Sequence, residues 1–213
     1  VSFNYEKSNA NNKLLDNLNL SIRKGKITIL KGKLGSGKST FLDLLSGLLV
    51  PDTGSININD NELYNYKNLN DKIVTVSQKN ILITDTIKSN ILFFNKINDE
   101  EYFKKITAKL NIDNFVNNFE NKYETIIENS GENLSGGQTQ RICIARALIR
   151  KPEILILDEA TSALDEKNEK DIFASILELM KGKTVIISIH KNIIDEYADD
   201  IYNIDNGKFI KIK

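Results

Sequence analysis

The chain has 213 residues, 40% apolar and 27% charged, the balance of an ordinary globular domain that needs no disulfide or structural metal to hold its core. Its 29 Lys and Arg offset 29 Asp and Glu, so the basic footprint of a nucleic-acid binder is missing. A single Cys, Cys143, and a single His, His190, leave neither a disulfide framework nor a His/Cys zinc cluster. Cys143 is expected to pack as a small apolar side chain.

In chain order, 18–22 and 27–30 are short and rich in branched apolar residues, and are predicted strands. A glycine-rich loop follows at 32–37, then a predicted helix over 39–49, closed by Pro51. Two more strands are predicted at 55–58 and 73–76. Helical periodicity runs through 86–119 and again through 136–150, where Pro152 stops it. The apolar run 154–157 before Asp158 reads as a buried strand, 165–180 as a helix, and 184–189 as a second buried strand. A closing pair, 201–204 and 208–212, flanks Asn206-Gly207. Buried strands alternating with helices imply an α/β core. The mostly helical stretch 79–151 is expected to be a subdomain inserted between core segments 1–78 and 152–213. No uninterrupted apolar run reaches 18 residues, the chain begins with Val1, and no signal peptide is visible, as expected for a domain cut from a longer protein.

Residues 32–40 read GKLGSGKST, which fits G-x-x-x-x-G-K-[ST] with Gly32, Gly37, Lys38 and Ser39 in the fixed positions. Gly32, Gly35 and Gly37 let successive backbone N–H groups curl around phosphate oxygens, with Ser36 and Thr40 beside them. The helix that follows aims its N-terminus at the same anion. Lys38 supplies a full positive charge, and the Ser39 hydroxyl suits an oxygen-seeking cation such as Mg²⁺. Later, ILILDEA at 154–160 ends a buried strand in Asp158, able to hold Mg²⁺, and Glu159, able to orient or deprotonate an attacking water.

With these motifs, and with LSGGQ at 134–138 opening a helix about twenty residues before Asp158, the sequence resembles the nucleotide-binding domain of ABC transporters over nearly its whole length. The resemblance implies a RecA-like P-loop NTPase core with an antiparallel β portion and an inserted helical subdomain. It implies ATP and Mg²⁺, and a signature (Ser135, Gly136, Gly137, Gln138) that closes on the ATP held by a second nucleotide-binding domain. Tyr5 resembles the aromatic that stacks on adenine, although a strand aromatic packed in the core is the other reading. Gln78 resembles the glutamine that senses Mg²⁺ near the transmembrane partner, and His190 the switch histidine at the γ-phosphate. Ser162-Ala163-Leu164-Asp165 resembles the loop that crosses the dimer interface, while Asp165 also suits a helix cap.

Some positions depart from the pattern. Lys33 and Leu34 stand where small or polar residues are common. Glu128 lies one place early in the stretch 127–131, and Lys191 follows His190 where Arg is frequent. Thr86-Ile87 with Asn90-Ile91, and the lead from Gly131 to Leu134, look like an exporter's. The resemblance therefore implies an ATPase domain powering export at the cytoplasmic face of a membrane. It would work with a fused or associated transmembrane domain, as a head-to-tail, ATP-dependent homodimer, without nucleic acid. An importer's ATPase subunit and a soluble ABC ATPase are the alternatives.

Overall fold

The apolar runs of 154–157 and 184–189 can be buried on both faces only inside a parallel sheet, and that is where they lie. The computed structural model describes residues 1–5, 14–93, 99–128, 131, 133–161, 163 and 165–213. Its elements are β1 (Ile27–Gly32), α1 (Lys38–Leu45), β2 (Asn57–Ile58), β3 (Asn61–Glu62), α2 (Leu69–Lys72), β4 (Ile73–Val76), α3 (Ile87–Leu92), α4 (Glu100–Lys109), α5 (Ile112–Val116), α6 (Gly136–Leu148), β5 (Ile154–Asp158), α7 (Glu166–Leu179), β6 (Thr184–Ser188), β7 (Asp200–Asp205) and β8 (Lys208–Lys211). They fall into two compact units. The first holds Val1–Thr75, Glu153–Asp158 and Gly182–Lys213; the second holds Val76–Pro152 and Glu159–Lys181.

The first unit is built on a sheet in the order β4-β5-β6-β1-β7-β8. β5, β6, β1 and β7 are parallel neighbours, with Asp158 opposite Ser188, Ser188 opposite Leu30, and Leu30 opposite Tyr202. β8 turns back antiparallel on β7 after Asn206-Gly207. Phe41, Leu42 and Leu44 of α1 pack with Leu30, Ile156 and Ile186 of the sheet in one buried cluster. Each such side chain contributes roughly 1.5–3 kcal/mol relative to exposure.

At the start of β7, Asp200 is 2% exposed and receives Arg23 Nε at 2.9 Å and Lys211 Nζ at 2.5 Å. It ties the segment before β1 to both strands of the closing hairpin.

In the second unit, α6 is the buried centre, and α3 joins it through a polar hub. Arg146 of α6 donates to the Asn90 backbone carbonyl, to Asn90 Oδ1 and to the Ile81 carbonyl, each at 2.8 Å. Its guanidinium also lies 4.6 Å from the Phe93 ring centroid. Asn90 is fully buried and exchanges bonds with Ile83, both at 2.9 Å. A guanidinium has only donors, so a ring of carbonyl acceptors satisfies it without a carboxylate. Asp99 caps α4 and Asp165 caps α7 through side-chain oxygens, each worth about 1 kcal/mol.

Four sequence expectations need correction. The predicted strand over 18–22 is not formed: Leu18, Leu20 and Ile22 alternate with exposed Asn19 and Ser21, but no ladder partner pairs with the segment among the described residues. The strand over 55–58 shrinks to β2, which among the described residues pairs with β3 alone. The helix over 39–49 stops at Leu45, because Gly47 turns left-handed at φ 78°. The helical stretch 86–119 is three short helices, with left-handed Phe93 closing α3 and left-handed Asn111 between α4 and α5.

The Arg23 bond first, and then that from Lys211, hold the Asp200 carboxyl below the usual carboxylate range. In the unfolded chain it titrates near pH ~4. A lowered native pKa stabilises the fold above that value, and the contribution is lost as pH falls through the native pKa. Thermal unfolding of Asp200→Asn should therefore show a lower Tm than the parent at pH 7, and a gap that narrows at pH 3. An equal gap at both values would mean that the ion pairs contribute nothing.

Candidate functional site

The parallel register brings the loop after β1, the end of β5 and the residue after β6 to one carboxyl edge of the sheet, where open α/β folds bind ligands. The loop after β1 is tightly wound. At Gly32, φ is 151°, and a Cβ would sit 2.4 Å from the Ile204 carbonyl oxygen and 2.7 Å from Ser36 Oγ. No side chain is tolerated there. Lys38 is 5% exposed, and its ammonium donates to the Gly32 carbonyl at 2.7 Å and the Lys33 carbonyl at 3.0 Å. A buried charge placed by the loop itself thus stands at the start of α1. Gly37, the N-cap of α1, offers no side-chain acceptor, so the first amides of this helix lack the usual cap and suit an anion.

Around that loop, Ser36 is buried and its Oγ has no protein partner, whereas Ser39 is exposed. Lys33, Leu34 and Gly35 face solvent, Leu34 at 90% exposure. The departures at 33 and 34 therefore alter the outer surface of the loop and leave its backbone cradle intact. Asp158 Oδ1 is buried without a hydrogen-bond partner. Asp43 of α1, not singled out by any sequence motif, has its pKa raised by burial first and then by the charge of Asp158. Two neighbouring acids, Asp43 and Asp158, the latter with an orphaned carboxylate oxygen, are a setting that favours a cation, so the donor set fits Mg²⁺. Its only sequence signal is an acid among the apolar positions of α1. His190 is exposed directly after buried Ile189. Tyr5 is 62% exposed, sits edge-on to Phe3 at 5.1 Å, and its hydroxyl lies 3.1 Å from Thr40 Oγ1. The ring is tethered to the first turn of α1 and not packed in the core.

Two more groups lie in the second unit. Gln78 Nε2 donates to Glu159 Oε2 at 2.9 Å, joining two residues 81 positions apart. Glu159 has φ 49°, a turn that breaks the line of β5 immediately after Asp158. Ser135 is the N-cap of α6 and forms a capping box: its Oγ accepts from Gln138 N at 3.2 Å, and Gln138 Oε1 accepts from Ser135 N at 2.8 Å. Ser135 and Gly136 are exposed, and a Cβ on Gly136 would meet Ala163 Cβ at 3.4 Å. In the loop expected at the dimer interface, Ser162 and Leu164 lie outside the described residues, as do Asn129 and Ser130 before the signature. Cys143 is buried in α6, and that burial pushes its thiol pKa up. It is a packing residue, as expected.

The human protein "ATP-binding cassette sub-family B member 5" is 40% identical over 209 residues, covering 97% of this chain and 16% of that protein. The "ATP-dependent lipid A-core flippase" of Vibrio parahaemolyticus is 41% identical over 214 residues, covering 99% and 36%. Across such relatives the chain spans between 16% and 37% of their length. The solved structure of a bacterial Atm1-family ABC exporter with ATP bound superposes with a TM-score of 0.91 at 30% identity, covering 99% of this chain and 37% of that one. The fold is that of a P-loop NTPase, mixed α/β around a mostly parallel sheet. The family model described as "ABC transporter" matches residues 15–162, a span that contains the glycine loop, the Gln78–Glu159 pair and the LSGGQ cap, and the chain belongs to the ABC transporter family.

Proposed function

We propose that this chain is the Mg²⁺-dependent ATPase domain of a membrane exporter, hydrolysing ATP to ADP and phosphate to drive a fused or associated transmembrane domain. The observation that carries the reading is the buried ammonium of Lys38 at the uncapped start of α1, on the same sheet edge as the orphaned oxygen of Asp158. The exporter assignment is supported by the relatives' names and by exporter-like residues 85–91 and 131–134. The domain would act at the cytoplasmic face of the membrane. No described helix is long and apolar enough to cross one.

Phosphoryl transfer needs positioning and charge stabilisation more than covalent help from the protein. Lys38 and the amides of 32–40 hold the phosphates, and Tyr5 offers an exposed ring face to the adenine. Ser39, Gln78 and Asp158 are assigned to Mg²⁺, which when bound offsets phosphate charge. Glu159 orients the attacking water and accepts its proton. Its bond from Gln78 uses the amide nitrogen, which leaves the Gln78 carbonyl oxygen as an acceptor for a cation. His190 braces the γ-phosphate. Ser135, Gly136, Gly137 and Gln138 present a second helix N-terminus, suited to the nucleotide of an identical domain facing head to tail.

Three outcomes follow in the full-length protein. Lys38→Ala removes the fixed cation and should weaken ATP binding by roughly tenfold or more, read by titration with a fluorescent ATP analogue. An unchanged Kd would remove Lys38 from this role. His190→Ala should lower kcat while the ATP Kd stays within about twofold. Wild-type turnover would leave His190 an ordinary surface residue. Glu159→Gln should slow hydrolysis by about 10²–10⁴-fold and leave ATP trapped between paired domains, seen as nucleotide retained after gel filtration. Adding Ser135→Arg should release it. Retention that survives Ser135→Arg would place the signature away from the nucleotide.

A further inference from the structure

Lys31 puts a charge at the end of β1, after buried Ile29 and Leu30 and directly before Gly32. The phosphate-loop pattern begins at Gly32 and asks for no charge in front of it. The Lys31 side chain is only 13% exposed, and a lysine this far inside is seldom found without a partner.

Its partners lie in the segment after β6. Lys31 Nζ donates to Asn192 Oδ1 at 2.5 Å and forms an ion pair with Asp195 Oδ2. The other carboxylate oxygen, Asp195 Oδ1, is buried without a hydrogen-bond partner, so Asp195 leans on the lysine to offset its charge.

That segment carries His190. β6 ends at Ser188, and Ile189 N donates to the Leu30 carbonyl at 3.2 Å. Farther on, Asp195 N reaches the Asn192 carbonyl only at 3.4 Å, long for a hydrogen bond. Ile189 and Ile194 are buried, whereas His190 and Asn192 are exposed. His190 therefore stands on a short exposed stretch between two apolar anchors, and Lys31 ties that stretch to the strand that leads into the glycine loop. On the neighbouring residue, the Gly32 carbonyl receives the Lys38 ammonium. One lysine thus braces this stretch of backbone toward the phosphate loop, and the other toward the histidine.

We propose that Lys31 is a positioning residue for His190. By holding Asn192 and Asp195 it fixes the segment 190–195 against the end of β1, and so sets the place of the histidine relative to the phosphate loop. The proposal rests on the reading of His190 as the brace of the γ-phosphate. Lys31 itself acts only through that segment.

Steady-state kinetics of the full-length protein test it. Lys31→Met keeps an unbranched side chain and removes the ammonium. It should lower kcat by roughly tenfold, as a small misplacement of a working group does, with the ATP Kd within about twofold of the parent. Lys31→Arg restores a cation and should recover most of the parent kcat. In a His190→Ala background Lys31→Met should cost less than about twofold, because the group it positions is gone. Parent kcat in Lys31→Met, or effects of the two substitutions that multiply, would overturn the proposal and leave the role of His190 standing. Parent turnover in His190→Ala alone would overturn that role, and the proposal with it. Asp195→Asn probes the same contact from its other side and should behave as Lys31→Met does, including where the latter fails to fold. Hydrogen exchange gives a readout besides turnover. In either variant the amides of 190–195 should exchange roughly tenfold or more faster, while those of β6 keep their protection. Unchanged exchange over 190–195 would overturn the proposal. So would protection lost equally through β6, which would make Lys31 a general stabiliser of the sheet.

Discussion

The register of β5, β6 and β1 is the constraint on which the first unit depends. These strands lie at the middle of the sheet, and β6 is buried along its whole length. A parallel ladder buried on both faces has no free edge at its centre and is filled mainly by apolar side chains. Polar chemistry is therefore expelled to the strand ends. Because the strands are parallel, their carboxyl ends coincide, and Asp158, Ser188 and Leu30 stand level across three strands. The glycine loop, Asp158 and His190 share one edge for this reason.

Two helix N-termini illustrate how the same dipole is prepared differently. α6 closes on itself through the reciprocal bonds of Ser135 and Gln138, so its first amides are partly satisfied within the chain. α1 has glycine at its cap and a buried lysine as its first residue. Its first amides have no side-chain cap, and the Lys38 ammonium donates to two loop carbonyls. A helix start without a side-chain cap and with an added positive charge is well suited to a polyphosphate.

Buried polar groups away from that edge serve the framework. Asp200 between Arg23 and Lys211 fastens the closing hairpin, and Arg146 fastens α3 to α6. Asp200 is paired with two cations and Arg146 donates to three carbonyl oxygens, the condition under which a buried charge is tolerated. Asp158 Oδ1 and Ser36 Oγ have none within the protein.

The phosphate loop, the Asp158-Glu159 pair and the LSGGQ helix were legible in the residues because each depends on local geometry. Gly32 admits no Cβ, a helix start must follow the loop, and a buried strand must end before its acids. The central strands were legible because continuous apolar runs have few other destinations. What tertiary structure decided were matters of partnership between distant residues. Gln78 meets Glu159, Tyr5 reaches Thr40, and Asp43 comes under the charge of Asp158. None of these pairs is close in sequence, and no periodicity encodes them. The branched apolar residues of 18–22 read as a strand, yet no strand forms there, because a strand also needs a neighbour with free backbone groups. Whether one is present is a property of the packed molecule, not of the segment.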